Sequence, residues 1–195
     1  MKTFEFLFDF GSLASYLAHT QIAQLEQASG AKAVYQPMLL GGVFQATGNQ
    51  SPASIPAKGA YIFDDFDRFA SRYGVPLNRN PHFPINTLML MRGACGLQMQ
   101  EPARFMAYVD AMFKAIWVDS LNMNDAAVAA AALGAAGFDP AAMMAMTQSP
   151  DVKDRLKAVT QDAIDRGVFG APTFFVGQQM FWGQDRFDFI KEALQ

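Results

Sequence analysis

Apolar and aromatic positions run from Thr3 to Phe8 with little interruption and read as a buried strand. The run breaks at Gly11. Leu13, Tyr16, Leu17, Ile22, Ala23 and Leu25 then recur at helical spacing, with Ser12 at the N-cap position and Gly30 as the stop. Ala33 to Gln36 reads as a second short strand ending at Pro37, and a strand–helix–strand crossover of this length implies parallel pairing. Leu39 to Ala57, rich in Gly, Ser, Asn and Pro, predicts a loop of nearly twenty residues, a length often tied to function.

A helix follows through Ile62, Phe63, Phe66, Phe69 and Tyr73 and stops at Gly74, with Pro76, Pro81 and Pro84 close behind. Asn86 is a candidate cap for the next helix, Leu88 to Met99. Further helices are predicted over Ala103 to Trp117, Ala126 to Ala136, a short stretch after Pro140, and Pro150 to Arg166, with Pro102 and Pro140 in first turns. The period then returns to two. Val168 to Val176 and Gln179 to Trp182 form a hairpin around Gly177-Gln178, and Gly183-Gln184-Asp185-Arg186 opens a last helix to Leu194. The order is β-α-β, a helical block, then α-β-β-α. This is an α/β, thioredoxin-like arrangement, discontinuous over residues 1–42 and 150–195, with a large all-helical insertion at residues 43–149.

Composition narrows the class. Of 195 residues, 51% are apolar and 17% charged, which excludes disorder. The apolar share is weighted to 18 Phe and 12 Met, an interior suited to an aromatic ligand as well as to ordinary packing. A net charge of −3 with no basic run gives no support for nucleic acid as a partner. No apolar run has membrane-spanning length, and the start has no signal-peptide pattern, so the expectation is a cytoplasmic protein without a membrane role. The single cysteine, Cys95, excludes an internal disulfide and a Cys-x-x-Cys centre.

The strand-to-helix turn carries the candidate chemistry. A serine at a helix N-terminus sits beside free N–H groups and the positive end of the helix dipole, which favours an anion, although a plain capping role explains it equally well. A Ser-His-Asp arrangement has poor support, because His19 lies seven residues past Ser12 on the same helix and the one other histidine is His82.

Six motifs recur in order: Phe8-Asp9-Phe10-Gly11-Ser12 with Ser15-Tyr16-Leu17-Ala18; Gly48-Asn49-Gln50; Pro56-Ala57-Lys58-Gly59 with Tyr61; Phe83-Pro84-Ile85-Asn86; Gly170-Ala171-Pro172-Thr173; and Trp182-Gly183-Gln184-Asp185-Arg186. On these, the whole chain resembles the family of 2-hydroxychromene-2-carboxylate isomerases and kappa-class glutathione transferases, a DsbA-like branch of the thioredoxin superfamily. The resemblance implies glutathione as cofactor, a small aromatic acid as substrate, a cis-proline at Pro172, and a homodimer. It implies that Ser12 stabilises the glutathione thiolate and that Ala171 and Pro172 dock the extended tripeptide. Gln184 and Asp185, at the start of the last helix, would take its γ-glutamyl end. Asn49 and Lys58, from the long loop, would take the glycyl end, and Asp65 would reach the tripeptide bound in a second subunit. Asn86 and Trp117 are the candidates for the wall of the aromatic substrate's site or for the contact to its carboxylate. Leu13 stands where relatives commonly carry proline, and Gly11 where they carry a larger apolar residue.

Isomerase and kappa-like transferase share all of these glutathione residues, and the length of the chain leans toward the isomerase. Ser12 and Ser15, where a disulfide oxidoreductase has cysteines, argue against that third class. The intact Ser12 and Gln184-Asp185 argue against a non-catalytic binding module.

Overall fold

A computed structural model describes residues 1–195. The chain forms β1 (Thr3–Phe8), α1 (Leu13–Ser29), β2 (Lys32–Pro37), α2 (Leu40–Thr47), α3 (Pro56–Tyr73), α4 (Leu88–Gln100), α5 (Phe105–Trp117), α6 (Ala126–Ala135), α7 (Pro140–Gln148), α8 (Pro150–Asp165), β3 (Thr173–Val176), β4 (Gln179–Trp182) and α9 (Phe187–Ala193). The sheet order is β2-β1-β3-β4. β1 pairs parallel with β2, as the crossover predicts, and antiparallel with β3, which forms the hairpin with β4.

Alternation along β1 divides the core in two. Phe4, Phe6 and Phe8 point to one face, where Phe6 stacks on Phe8 at 5.3 Å and on Phe174 at 5.2 Å between ring centres. Leu7 points to the other face, against Met38, Val43, Val159, Ala163, Val168 and Phe175. Glu5 shares that second face and takes both arms of Arg166 at 2.8 and 2.9 Å; the guanidinium lies 3.7 Å above the Phe175 ring. The first cluster includes residues of β1, α1, α4 and α5, so sheet and intervening helices share one core.

The structure differs from the sequence reading at several element bounds. The loop expected over Leu39 to Ala57 contains α2 and a 3-10 turn at Pro52–Ser54, so Asn49 follows a helix and Lys58 lies in the first turn of α3. The boundary expected at residues 42 and 43 falls inside α2. Gly41 and Gly42 are poor helix formers, but here tertiary contacts decide. Leu40 N–H donates to the Asp9 carboxylate, Leu39 N–H donates to Thr160 Oγ1, and a Cβ on Gly42 would lie 3.2 Å from Thr160 Cγ2. Pro102 starts a 3-10 turn rather than α5. β3 begins at Thr173, because the chain bends through Gly170-Ala171-Pro172 first; a Cβ on Gly170 would meet Trp182 Nε1 at 2.6 Å. α9 opens at Phe187, not at Gly183.

Candidate active site

The turn between β1 and α1 is tied to five other parts of the chain. Ser12 N–H donates to Asp9 O at 3.0 Å, closing the turn. Phe10 N–H points at Met91 Sδ in α4 at 3.5 Å, and Phe10 O accepts the Trp117 indole N–H at 2.8 Å. The Asp9 carboxylate accepts from Gly11 N–H at 2.8 Å, Thr87 O–H at 2.6 Å and Leu40 N–H at 2.8 Å. Burial pushes the Asp9 carboxyl above the usual carboxylate pKa, and the donors from Thr87, Gly11 and Leu40 pull against that shift.

On this base Ser12 is held at an extended backbone geometry and is 8% exposed. Its Oγ accepts Ser15 N–H at 3.1 Å, which is the expected cap. Its hydroxyl hydrogen is directed elsewhere, to Ala171 O at 3.0 Å, across 159 residues. The Ala171–Pro172 bond is cis, as the motif implied, and Phe83–Pro84 is a second cis bond that the sequence reading did not foresee. Ser15 is fully buried, and its own hydroxyl is the buried side-chain polar atom left without a partner.

Several expected residues meet around Ala171. Asn49 Nδ2 donates to Phe169 O at 2.7 Å, tying the end of α2 to the strand entry. Gly183 N–H donates to Pro172 O at 3.0 Å, which brings Gln184 and Asp185 alongside. Gln184 is buried at 5% exposure, and its side-chain and backbone oxygens share the Tyr73 hydroxyl at 2.9 and 3.2 Å. Burial, reinforced by the nearby Asp185 charge, pushes the Tyr73 pKa up to about 12. Asp185 pairs only with its neighbour Arg186, at 3.1 Å. Both residues precede α9, which has seven residues, so the expected helix N-terminus is not what they offer. They offer a side-chain amide and a carboxylate.

Other expected residues stand apart. Lys58 is exposed with no ion-pair partner, and Asp65 faces Arg68 at 3.3 Å. Asn86 is exposed; its N–H donates to Asn124 Oδ1 at 2.8 Å, and its own Oδ1 accepts Leu88 N–H at 3.2 Å. The segment carrying it reaches the turn, since a Cβ on Gly11 would lie 3.6 Å from Ile85 O. Trp117 has no exposed surface, so it is no substrate wall here; it braces the Ser12 turn from behind through Phe10. Asp9, Thr87 and Tyr73 were missed. An acid at the end of an apolar strand, two residues before a glycine, was the signal for Asp9.

Competing chemistries find no geometry. His19 is held between Tyr35 Oη and Asp110 Oδ1, both at 2.8 Å, and stacks on Phe113. Cys95 is buried, and burial raises its thiol pKa to about 12. No group of three or more His, Cys, Asp or Glu is disposed to hold a metal ion, and no helix is long and apolar enough to cross a membrane. A groove of about 440 Å³ between α1, α3 and α9 has Asp185, Arg72 and Lys191 on its walls but does not include Ser12.

The family described as DSBA-like thioredoxin domain matches residues 3–195. The chain belongs to the DSBA-like thioredoxin family. Within it, the chain is 31% identical over 99% of its length to a 2-hydroxychromene-2-carboxylate isomerase of Sphingobium xenophagum, covering 98% of that protein. It is 28% identical to glutathione S-transferase kappa 1 of Caenorhabditis elegans, covering 98% of this chain and 90% of that one. A solved structure of a 2-hydroxychromene-2-carboxylate isomerase superposes with a TM-score of 0.85 at 30% identity, over 98% of this chain and 94% of the other. In this DSBA-like chain serines occupy positions 12 and 15, so the turn itself has no thiol to exchange.

Two donors near Pro172 are left unengaged within the chain. The Ala171 amide N–H makes no hydrogen bond within the chain, and the Gln184 side-chain nitrogen donates to nothing. Both flank Pro172. A strand-like backbone can dock on the first, and a carboxylate can take the second.

Proposed function

We infer that the protein is a glutathione-dependent cis-trans isomerase of 2-hydroxychromene-2-carboxylate or a related aromatic acid. The observation that carries this reading is the Ser12 hydroxyl, held at a helix N-terminus and aimed at the carbonyl before a cis-proline. The full-length relatives supply the reaction class.

Bound glutathione would supply a thiolate able to add reversibly to a conjugated carbon of the ring-opening substrate, leaving a single bond there that can rotate before the thiolate departs and the alkene re-forms, with no net redox change. Ser12 favours the thiolate by two routes. Its hydroxyl donates to the charged sulfur, and the α1 N-terminus adds its partial positive charge. Serine does this without forming a mixed disulfide. The hydroxyl has one hydrogen, now given to Ala171 O, so the sulfur takes over that hydrogen when it arrives. The freed Ala171 O, with the Ala171 N–H, then meets the tripeptide backbone. Gln184 Nε2 and the Asp185 carboxylate face its γ-glutamyl end, and Asn49 and Lys58 its glycyl end. Asn86, on the segment packed against Gly11, would meet the carboxylate of the aromatic acid.

A kappa-like transferase is the second reading, favoured by the kappa-class relatives. A thermal-shift titration with glutathione, followed by an absorbance assay on 2-hydroxychromene-2-carboxylate, separates them. A glutathione shift with isomerisation is expected. A shift without isomerisation selects the transferase, and no shift removes both.

A further inference from the structure

Asp9 is 2% exposed, yet the mechanism above gives it nothing to do. Its surroundings are specific. One carboxylate collects donors from three segments that are distant in sequence: Gly11 N–H just before the α1 cap, Leu40 N–H in the first turn of α2, and the hydroxyl of Thr87, the residue that precedes α4. Neither Leu39 nor Thr87, the N-cap residues of α2 and α4, makes a side-chain cap of its own. Asp9 therefore ties together the chain at the starts of three helices, accepting from one helical N–H (that of Leu40 in α2), from the amide just before the α1 cap and from the hydroxyl of the α4 cap residue. Its backbone carbonyl takes Ser12 N–H as well, so Asp9 holds both amides that lead into α1. The fit is close: a Cβ on Gly11 would lie 3.3 Å from Thr87 Cγ2 and 3.4 Å from Asp9 Oδ1.

We propose that Asp9 is a positioning residue for the Ser12 hydroxyl, clamping the turn before it to the N-termini of α2 and α4. This rests on the reading of Ser12 as the donor to a thiolate. The clamp matters because a donor misplaced by a fraction of an ångström loses much of its value in a transition state. Thr87 acts through Asp9 and belongs to the same device.

Asp9→Asn tests this with almost no change of volume. An amide has one acceptor oxygen, so in either orientation its NH2 faces a backbone N–H, of Leu40 or of Gly11, and one contact is lost. Thr87→Val removes the hydroxyl, and Thr87→Ser keeps it. The readouts are the pKa of bound glutathione, from thiolate absorbance, with kcat and the glutathione KM. Asp9→Asn is expected to raise the bound-thiol pKa and to lower kcat about 10-fold, with KM changed less than about 2-fold. Thr87→Val should shift the same two readouts in the same direction by less, and Thr87→Ser should match the wild type. Asp9→Asn added to Ser12→Ala should cost nothing further, because the clamp acts only through that hydroxyl.

A folded Asp9→Asn with wild-type thiol pKa and kcat overturns the proposal. So does a loss that multiplies with that of Ser12→Ala, or a Thr87→Ser variant no better than Thr87→Val. If Asp9→Asn does not fold, the two Thr87 variants decide. Failure of the underlying reading looks different: the wild type binds no glutathione, or Ser12→Ala leaves the bound-thiol pKa unchanged, and the Asp9 proposal then falls with it.

Discussion

The Ser12 turn and the Gln184-Asp185 turn flank the same cis-proline, yet they are built in opposite ways. At the first, the buried Asp9 carboxylate and the backbone groups of Phe10, Gly11 and Ser12 are engaged, with partners from α2, α4, α5 and the Ala171 bend. At the second, Gln184 is anchored by one tyrosine, and the Asp185 side chain is 37% exposed with a sequence neighbour as its ion-pair partner. On the function proposed for the site, the contrast separates two jobs. A group that must stabilise developing charge gains most from being fixed before the reaction. A group that recognises a charged end of a ligand works from a wetter, looser position, where each contact is weaker.

The comparison breaks first at Ser12. Ser12→Ala should lower glutathione-dependent turnover about 10²-fold, the scale for losing one preorganised donor, with little change in KM. Steady-state kinetics giving full turnover would remove the distinction between the two turns.

Asp185→Ala should act on the other parameter. A weakening of glutathione affinity of about 10-fold by calorimetry, with kcat nearly kept, is expected for a half-exposed charged contact. Unchanged affinity would place the γ-glutamyl end elsewhere.

Tyr73 sharpens the contrast through pH. Burial raises the pKa values of Tyr16, Tyr35, Tyr73 and Tyr108, Tyr73 to about 12. The unfolded chain releases these protons from about pH 10, so between that pH and the folded values the native state holds more protons than the unfolded one. Stability contributed by these groups is full below about pH 10 and is lost as pH rises through the folded values. The denaturation midpoint should therefore fall between about pH 10 and 12, and less steeply in Tyr73→Phe. That variant should also raise the glutathione KM a few-fold at neutral pH by releasing Gln184. A flat alkaline profile would contradict the burial of these hydroxyls.

The smallest effect belongs to Ser15. Its buried hydroxyl has no partner, so Ser15→Ala should leave turnover unchanged and stability equal or higher by up to about 1 kcal/mol in urea denaturation. A loss of turnover would show that this hydroxyl takes part in the site.

Local physics made much of the fold legible. The strand over Thr3 to Phe8, the helix from Leu13 to Ser29 with its serine cap and glycine stop, and the helix that ends at Tyr73 match the structure because period and capping are encoded within a few residues. Ser12 and the cis-proline at Pro172 were legible as motifs, but not the bond that joins them. Where the sequence reading fell short, distant partners decide. α2 forms despite two glycines because Asp9 and Thr160 supply acceptors for the amides at its start. Trp117 is a brace rather than a substrate wall because Phe10, 107 residues away, takes its N–H. Asp9 is a hub only because Leu40 and Thr87 fold onto it. Sequence by itself determined which segments are strands and, α2 excepted, which are helices, and which serine caps the first helix. The tertiary structure alone decided where that serine's hydrogen points and what holds it there, because a hydrogen bond across 159 residues leaves no periodic trace in the chain.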